Sequence, residues 1–250
     1  MMAQGVMSFT WVFKVKPIKY AQDCPMNTEK TDHFRKQYFE KPYQGKFFYK
    51  FCDEQEFTEI YQDQFLNEYL PSQFIPQLQL NPIDVIRSAS QTSAEINKHI
   101  HFDRIIIFDV QQNPVALFDG YQQKIDQYYM RNSVIKKEYR RMGLYNDYCK
   151  RLIQYTKALN IIHLTSLHHA YNNPIMIAKL KLGFYITGYQ TDISWGNMVM
   201  MSYFNCEKYE ELFKYRTGHR SFLPEFYEAS SPRVQKFFES VSKKEPVNNI

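Results

Sequence analysis

Cysteine is scarce in this chain: Cys24, Cys52, Cys149 and Cys206 stand far apart among 250 residues, with no C-x-x-C spacing. They are too few to staple a chain of this length, so a disulfide scaffold is excluded and they read as reduced thiols of a cytoplasmic protein. No apolar run reaches the 18 residues that suggest a membrane-spanning helix. The opening segment, MMAQGVMSFTWVFKVK, is interrupted by Gln4, Ser8, Thr10 and Lys14, so neither export nor membrane insertion is expected. Long Gly/Ser/Pro linkers are also missing. The expectation is therefore one principal domain over residues 45–216, with an N-terminal extension over 1–44 and a C-terminal helix and polar tail over 217–250.

The composition is that of a globular protein, with 44% hydrophobic and 23% charged residues, and its aromatic share of 17% is high. The net charge of +5 is modest, but Lys136, Lys137, Arg140, Arg141, Lys150 and Arg151 crowd one segment against Glu138 and Asp147. Such a field suits an anionic ligand, either phosphate groups or nucleic acid, and charge alone does not choose between them.

Periodicity predicts a mixed α/β sheet. KFFYKF at 46–51 reads as a strand. Asp53 would cap the helix after it, with Glu56 at the capping-box position and Phe57, Ile60, Tyr61, Phe65 and Tyr69 along one face. A second helix is expected from Asn81 to Ile100. RIIIFDV at 104–110 and VALF at 115–118 form a hairpin around Asn113-Pro114, and Asp119-Gly120 marks another turn. A strand over 124–135 leads into a helix over 144–159 with Leu144, Tyr148, Leu152, Tyr155, Thr156 and Leu159 on its apolar face. There follow a strand at 161–167, a helix at 174–182 stopped by Gly183, strands at 184–191 and 197–204, and helices at 207–216 and 232–242. Residues 1–44 show no clean periodicity and read as an arm on the substrate side.

Within this order, IKKEYRRMGLYNDYCKRLI at 135–153 resembles the acyl-CoA-binding motif V-x-P-x-Y-R-x-x-G-x-G/A of the GNAT N-acetyltransferase superfamily, matched at Ile135, Tyr139, Arg140 and Gly143. NNPIMIAKLKLGF at 172–184 is similar to the family's later pattern N-x-x-A-x-x-x-Y-x-x-x-G-F, matched at Asn172, Gly183 and Phe184. The resemblance spans about residues 104–204 and implies a central mixed β-sheet flanked by helices, with acetyl-CoA or another acyl-CoA as donor. It places Ile135, Lys137, Arg140, Arg141, Met142, Gly143, Leu144 and Tyr145 around the pyrophosphate and Asn172 against the pantetheine arm. The physics agrees: a helix N-terminus offers unpaired N–H groups and a positive dipole end, and glycine lets a ligand approach the backbone. Four positions depart from the pattern. Lys137 stands for proline, Tyr145 for glycine or alanine, Ile175 for alanine, and Lys179 for the tyrosine that commonly serves as general acid.

Acyl transfer from a thioester to an amine needs a polarised carbonyl and groups that accept and return a proton. The resemblance assigns carbonyl polarisation to the backbone of 133–137. Asp126 is the one acidic residue between Lys124 and Ile135 and is the candidate base, with Tyr128 and Tyr129 as rivals. For the acid, Tyr171, Lys179 and Tyr185 come into question, and His168 or His169 would serve as a base at the end of a strand. Adjacent histidines on a strand face opposite ways, so no metal site is expected. The acceptor would be an amine of a small molecule or peptide, and a homodimer is compatible with this reading. Other readings are an N-acyl amino acid or acyl-homoserine lactone synthase drawing on an acyl carrier, a non-catalytic acyl-CoA-binding module, and, ranked last, a nucleic-acid binder using the basic stretch.

Overall fold

The computed structural model describes residues 28–65, 68, 101–192 and 196–217, with 232, 235 and 236. Seven strands form one sheet: β1 (Phe48–Phe51), β2 (Phe102–Phe108), β3 (Pro114–Lys124), β4 (Gln127–Ile135), β5 (His163–His169), β6 (Tyr185–Asp192) and β7 (Gly196–Phe204). Their spatial order is β1-β2-β3-β4-β5-β7-β6, and β4 with β5 is the parallel pair in an otherwise antiparallel sheet. The parallel pair requires a crossover, supplied by α3 (Leu144–Ala158). The other helices are α1 (Thr28–Phe39), α2 (Glu54–Gln64), α4 (Asn173–Lys181) and α5 (Glu207–Arg216).

Alternation along the strands sends residues to two cores. Ile105, Ile107, Ala116 and Phe118 join the α3 face, where Leu144, Tyr148, Cys149, Leu152 and Tyr155 are buried. Ile106, Leu117 and Val134 point the other way, onto Phe57 and Phe65 at α2. The Tyr148 ring stacks on Phe118 with centroids 3.8 Å apart, which fixes α3 over the middle of β3.

Several local expectations change. Asp119-Gly120 is no turn: β3 runs on to Lys124, and the irregularity is a bulge opposite Met130 and Asn132, where β4 carries Arg131 as an extra residue. A Cβ at Gly120 would lie 2.6 Å from the Tyr128 ring, so close packing rather than a chain reversal accounts for that glycine. The capping box is half made, since Asp53 accepts from the Glu56 N–H whereas the Glu56 carboxylate turns to Lys50. Residues 28–39, read as part of an arm, form α1, which packs on α3 through buried Phe39. The helices read at 81–100 and 232–242 lie outside the described residues, apart from 232, 235 and 236.

One buried carboxylate joins α1, β2, β4 and α3. Asp103 accepts from Arg35 Nε at 3.0 Å and Nη2 at 2.7 Å, from Tyr128 Oη at 3.1 Å and from Tyr155 Oη at 3.2 Å, with His101 Nε2 at 3.2 Å. Burial pushes its pKa up, but His101 and Arg35 outweigh that and hold it below the usual carboxylate range. A depressed folded pKa adds stability above the unfolded value that disappears as pH falls. Asp103→Asn is expected to lower the unfolding free energy in urea by about 3 kcal/mol at pH 7, with the gap to wild type closing in acid below pH about 4. An unchanged gap at low pH would show that packing, not charge, carries the effect.

Candidate active site

The site is built where β4 and β5 part. Their hydrogen-bonded register covers Gln127–Met130 against His163–Ser166 and stops there, although β4 continues to Ile135 and β5 to His169. The bulge at Arg131 lies at the point of separation and bends β4 away from its neighbour. Beyond it the facing edges of Arg131–Ile135 and Leu167–His169 do not pair with each other, leaving backbone groups directed into a wedge.

At the open end of the wedge the chain makes a short 3₁₀ turn at Lys137–Tyr139 and enters α3. Arg141 (φ 67°) and Gly143 (φ 85°) are both left-handed, and no side chain caps the helix, so its first N–H groups face outward without an intrahelical partner. Such N–H groups, at the positive end of a helix dipole, are ones that an anion would satisfy at this turn. Tyr43 closes one side of it: its hydroxyl donates to the Met142 carbonyl, and a Cβ at Gly143 would lie 2.5 Å from that oxygen.

The residues expected around the pyrophosphate divide by role. Arg140 is committed to the fold, with Nε donating to the Ile135 carbonyl at 2.9 Å and Nη2 paired with Glu68 at 2.8 Å. Lys136 donates to Gln64, and Arg151 pairs with Asp147 and donates to the Tyr38 carbonyl. Arg141, Lys137 and Lys150 are exposed and make no ion pair among the described residues, so they supply the positive field. Leu144 is core, and the Tyr145 ring also turns inward onto Phe118, so its bulk faces the sheet and not the turn. The Tyr145 hydroxyl is buried without a hydrogen-bond partner. Met142 is exposed. Asn172 precedes α4, and its side chain makes no capping bond.

Among the proton-carrier candidates, Lys179 and His168 come together. Lys179 is fully buried, and its Nζ donates to Ser166 Oγ at 2.6 Å and to Met130 Sδ at 3.3 Å while lying 4.5 Å from the Phe184 ring centroid. His168 Nε2 lies 3.0 Å from the same Ser166 Oγ. Desolvation lowers the Lys179 pKa to about 8 and, with the Lys179 charge, that of His168 to about 3. Asp126 stands apart, before β4 begins, where its carbonyl accepts from the Ile162 and His163 N–H groups. Four residues of strand, about 13 Å, separate it from Met130. Tyr128 is bound to Asp103 and Tyr185 to Glu210, while exposed Tyr171 stacks on His169 at 5.0 Å.

Tyr43, Ser166 and Glu68 were not legible as site residues. Serine in a strand and glutamate outside any motif carry no signal until the fold brings them to a lysine and an arginine. Among the described residues no three His, Cys, Asp or Glu side chains gather to hold a metal.

The mixed sheet flanked by helices and the strand-turn-helix at Gly143 are the arrangement that the sequence resemblance implies. No protein-family model and no curated protein sequence matches the chain. Solved structures similar to it include the ribosomal-protein-S18-alanine N-acetyltransferase from Escherichia coli, at 12% identity over 62% of this chain and 92% of that one, with a TM-score of 0.45. Spermidine N-acetyltransferase from Vibrio cholerae in complex with CoA and spermine is similar at 13% identity, over 64% of this chain and 95% of that one, with a TM-score of 0.45.

Burying Lys179 has a thermodynamic signature. Its folded pKa of about 8 lies below the ordinary lysine value of 10.5, so between these values the unfolded chain binds more protons and stability rises with pH. Lys179→Met, which suits the Met130 and Phe184 surroundings, removes this term. The stability of Lys179→Met relative to wild type is expected to fall by about 3 kcal/mol from pH 7 to pH 10.5, as read by denaturant unfolding at each pH. A constant difference would mean that the amine keeps its ordinary pKa in the folded protein.

Proposed function

We propose that the protein is an acyl-CoA-dependent N-acyltransferase, acting in the cytoplasm on an amine of a small molecule or peptide. The observation that carries the reading is the end of β4–β5 pairing at Met130 and Ser166, beside a left-handed Gly143 turn with uncapped helix N–H groups. Together these leave two strand edges that do not pair with each other, running from the helix start to a buried proton carrier. A donor that is a pyrophosphate at one end, an extended amide chain in the middle and a reactive group at the other has this order of parts. Acyl-CoA supplies the activated thioester.

The chain's own residues then have distinct tasks. The N–H groups at the start of α3, with Arg141 and Lys137 nearby, hold the pyrophosphate. The free edges of β4 and β5 pair with the pantetheine amides, and the Asn172 side chain adds a contact at the mouth of the wedge. N–H groups of the 133–137 backbone orient and polarise the carbonyl, as the resemblance implies. Asp126 does not enter this scheme, because the geometry puts it at the far end of β4. A homodimer is compatible with the site, which is drawn wholly from one chain.

Isothermal titration of the full chain with acetyl-CoA and longer acyl-CoAs tests the reading. Arg141 is exposed and outside the core, so Arg141→Glu is expected to leave the melting temperature unchanged and to weaken acetyl-CoA binding by roughly tenfold, more at low salt than at high. Absence of heat with every acyl-CoA would overturn the proposal. Equal affinity in wild type and Arg141→Glu would move the pyrophosphate away from this turn.

A further inference from the structure

At the apex of the wedge, three polar groups stand in line. Ser166 and His168 are two apart on β5 and so share a face. Lys179 reaches that face from α4, with Nζ at 2.6 Å from Ser166 Oγ, and His168 Nε2 lies 3.0 Å from the same oxygen. A serine hydroxyl has one proton to give and two lone pairs. The Lys179 ammonium can only donate, so Ser166 accepts from it and has its own proton for His168 Nε2 or for the Met201 carbonyl, which lies farther off at 3.5 Å. With the serine proton given to the nearer acceptor, Nε2 carries no hydrogen and the neutral ring holds its proton on Nδ1.

We propose that Lys179, Ser166 and His168 form a proton relay that protonates the departing thiolate, in place of the tyrosine that the motif would have at position 179. The inference rests on the acyltransferase reading of the same wedge. As the acceptor nitrogen attacks the thioester carbonyl carbon, the C–N bond forms and the C–S bond breaks with its electron pair going to sulfur. His168 gives the Nδ1 proton to that sulfur and takes one at Nε2 from Ser166, which is refilled from Lys179 Nζ. The proton lost by the acceptor amine passes through solvent to His168 Nδ1, Nε2 returns its proton to Ser166 and Ser166 returns one to Lys179 Nζ, so each group ends as it began with no other reactant. The groups facing Lys179 are Met130 on β4, Ser166 and His168 on β5, Cys149 on α3 and the Phe184 ring. None is a carboxylate. An ammonium held without a counter-anion gives up its proton readily, and a thiolate is a stronger base than such an amine, so transfer runs downhill.

The order of protons is testable without an acceptor. In ¹⁵N NMR of the full chain, His168 is expected to remain neutral from pH 5 to 9 with its proton on Nδ1, and Ser166→Ala is expected to redistribute that proton between the two nitrogens. With acetyl-CoA and a panel of primary amines that includes spermidine and an alanine-terminated peptide, wild-type kcat should fall as pH rises through about 8, where Lys179 loses its proton. Lys179→Met and Ser166→Ala should each lower kcat by roughly a hundredfold, leave KM for acetyl-CoA within twofold and abolish the alkaline fall. A proton found on His168 Nε2, an unchanged alkaline limb in Lys179→Met, or no turnover from a chain that binds acetyl-CoA would overturn the relay and leave the cofactor site standing. A chain that binds no acyl-CoA would remove the acyltransferase reading and the relay together.

Discussion

The structure depends on a sheet that stops pairing halfway along its central pair of strands. Two parallel strands that remain in register present no free backbone between them. Here the register ends at Met130 and Ser166 because β4 carries Arg131 as an extra residue against β3. The cost is that the two facing edges no longer pair with each other, and apart from the Ile135 carbonyl, which takes Arg140 Nε, their backbone groups need other partners. An extended amide chain would meet that demand, as the proposed pantetheine contact does, and the bulge would then turn a packing defect into a slot. Arg131 is itself held by Asp119, a buried carboxylate of β3 whose other oxygen has no hydrogen-bond partner. Burial raises the Asp119 pKa despite that arginine. The bulge is thus held from the β3 side by a charge pair and from the α3 side by the Tyr128 ring against Gly120.

The rest of the fold keeps this opening in place. α3 cannot shift along the sheet while Tyr148 stacks on Phe118 and Tyr155 donates to Asp103, and α1 is tied to the same carboxylate through Arg35. The turn before α3 is fixed at both ends: Arg140 clasps the last carbonyl of β4, and Tyr139 donates to Asp109 beyond β2. These contacts explain why the basic segment yields fewer free charges than its composition suggests. Arg140, Lys136 and Arg151 hold backbone and neighbours, and only the exposed Arg141, Lys137 and Lys150 remain for an anion.

Much of the architecture was legible because it rests on local signals. The apolar spacing of α3, the glycine before it and the β-branched run of β2 each encode their own element, and α5 begins and ends where its sequence says. What was not legible depends on distant partners. Asp119-Gly120 has the chemistry of a turn, and only the Tyr128 ring reveals it as a tight crossing within a strand. Thr31, Phe34, Tyr38 and Phe39 do carry a helical spacing, yet their polar neighbours hid it until Phe39 met the rings of Tyr49, Phe51 and Tyr155. Of the candidate site, Gly143 and Lys179 were singled out through the motifs and His168 by its place at the end of a strand, but their meeting at Ser166 was not read. Ser166, Tyr43 and Glu68 did not, because each acquires its role through a residue far away in sequence.

The departures from the family pattern make physical sense together. Tyr145 replaces a small residue at the start of α3 without filling the anion seat, because its ring turns inward onto Phe118. Its presence helps to close the core around Cys149, whose thiol burial pushes up to about 11, and so to dry the space into which Lys179 projects. A lysine in a wet cleft would hold its proton near its ordinary pKa and return it slowly to a thiolate. One sealed among Met130, Phe184 and Cys149 gives it up near neutrality. A lysine in place of a tyrosine at 179 and a dry pocket around it therefore go together in the proposed relay, since burial gives the amine the acidity that a proton donor to the thiolate needs.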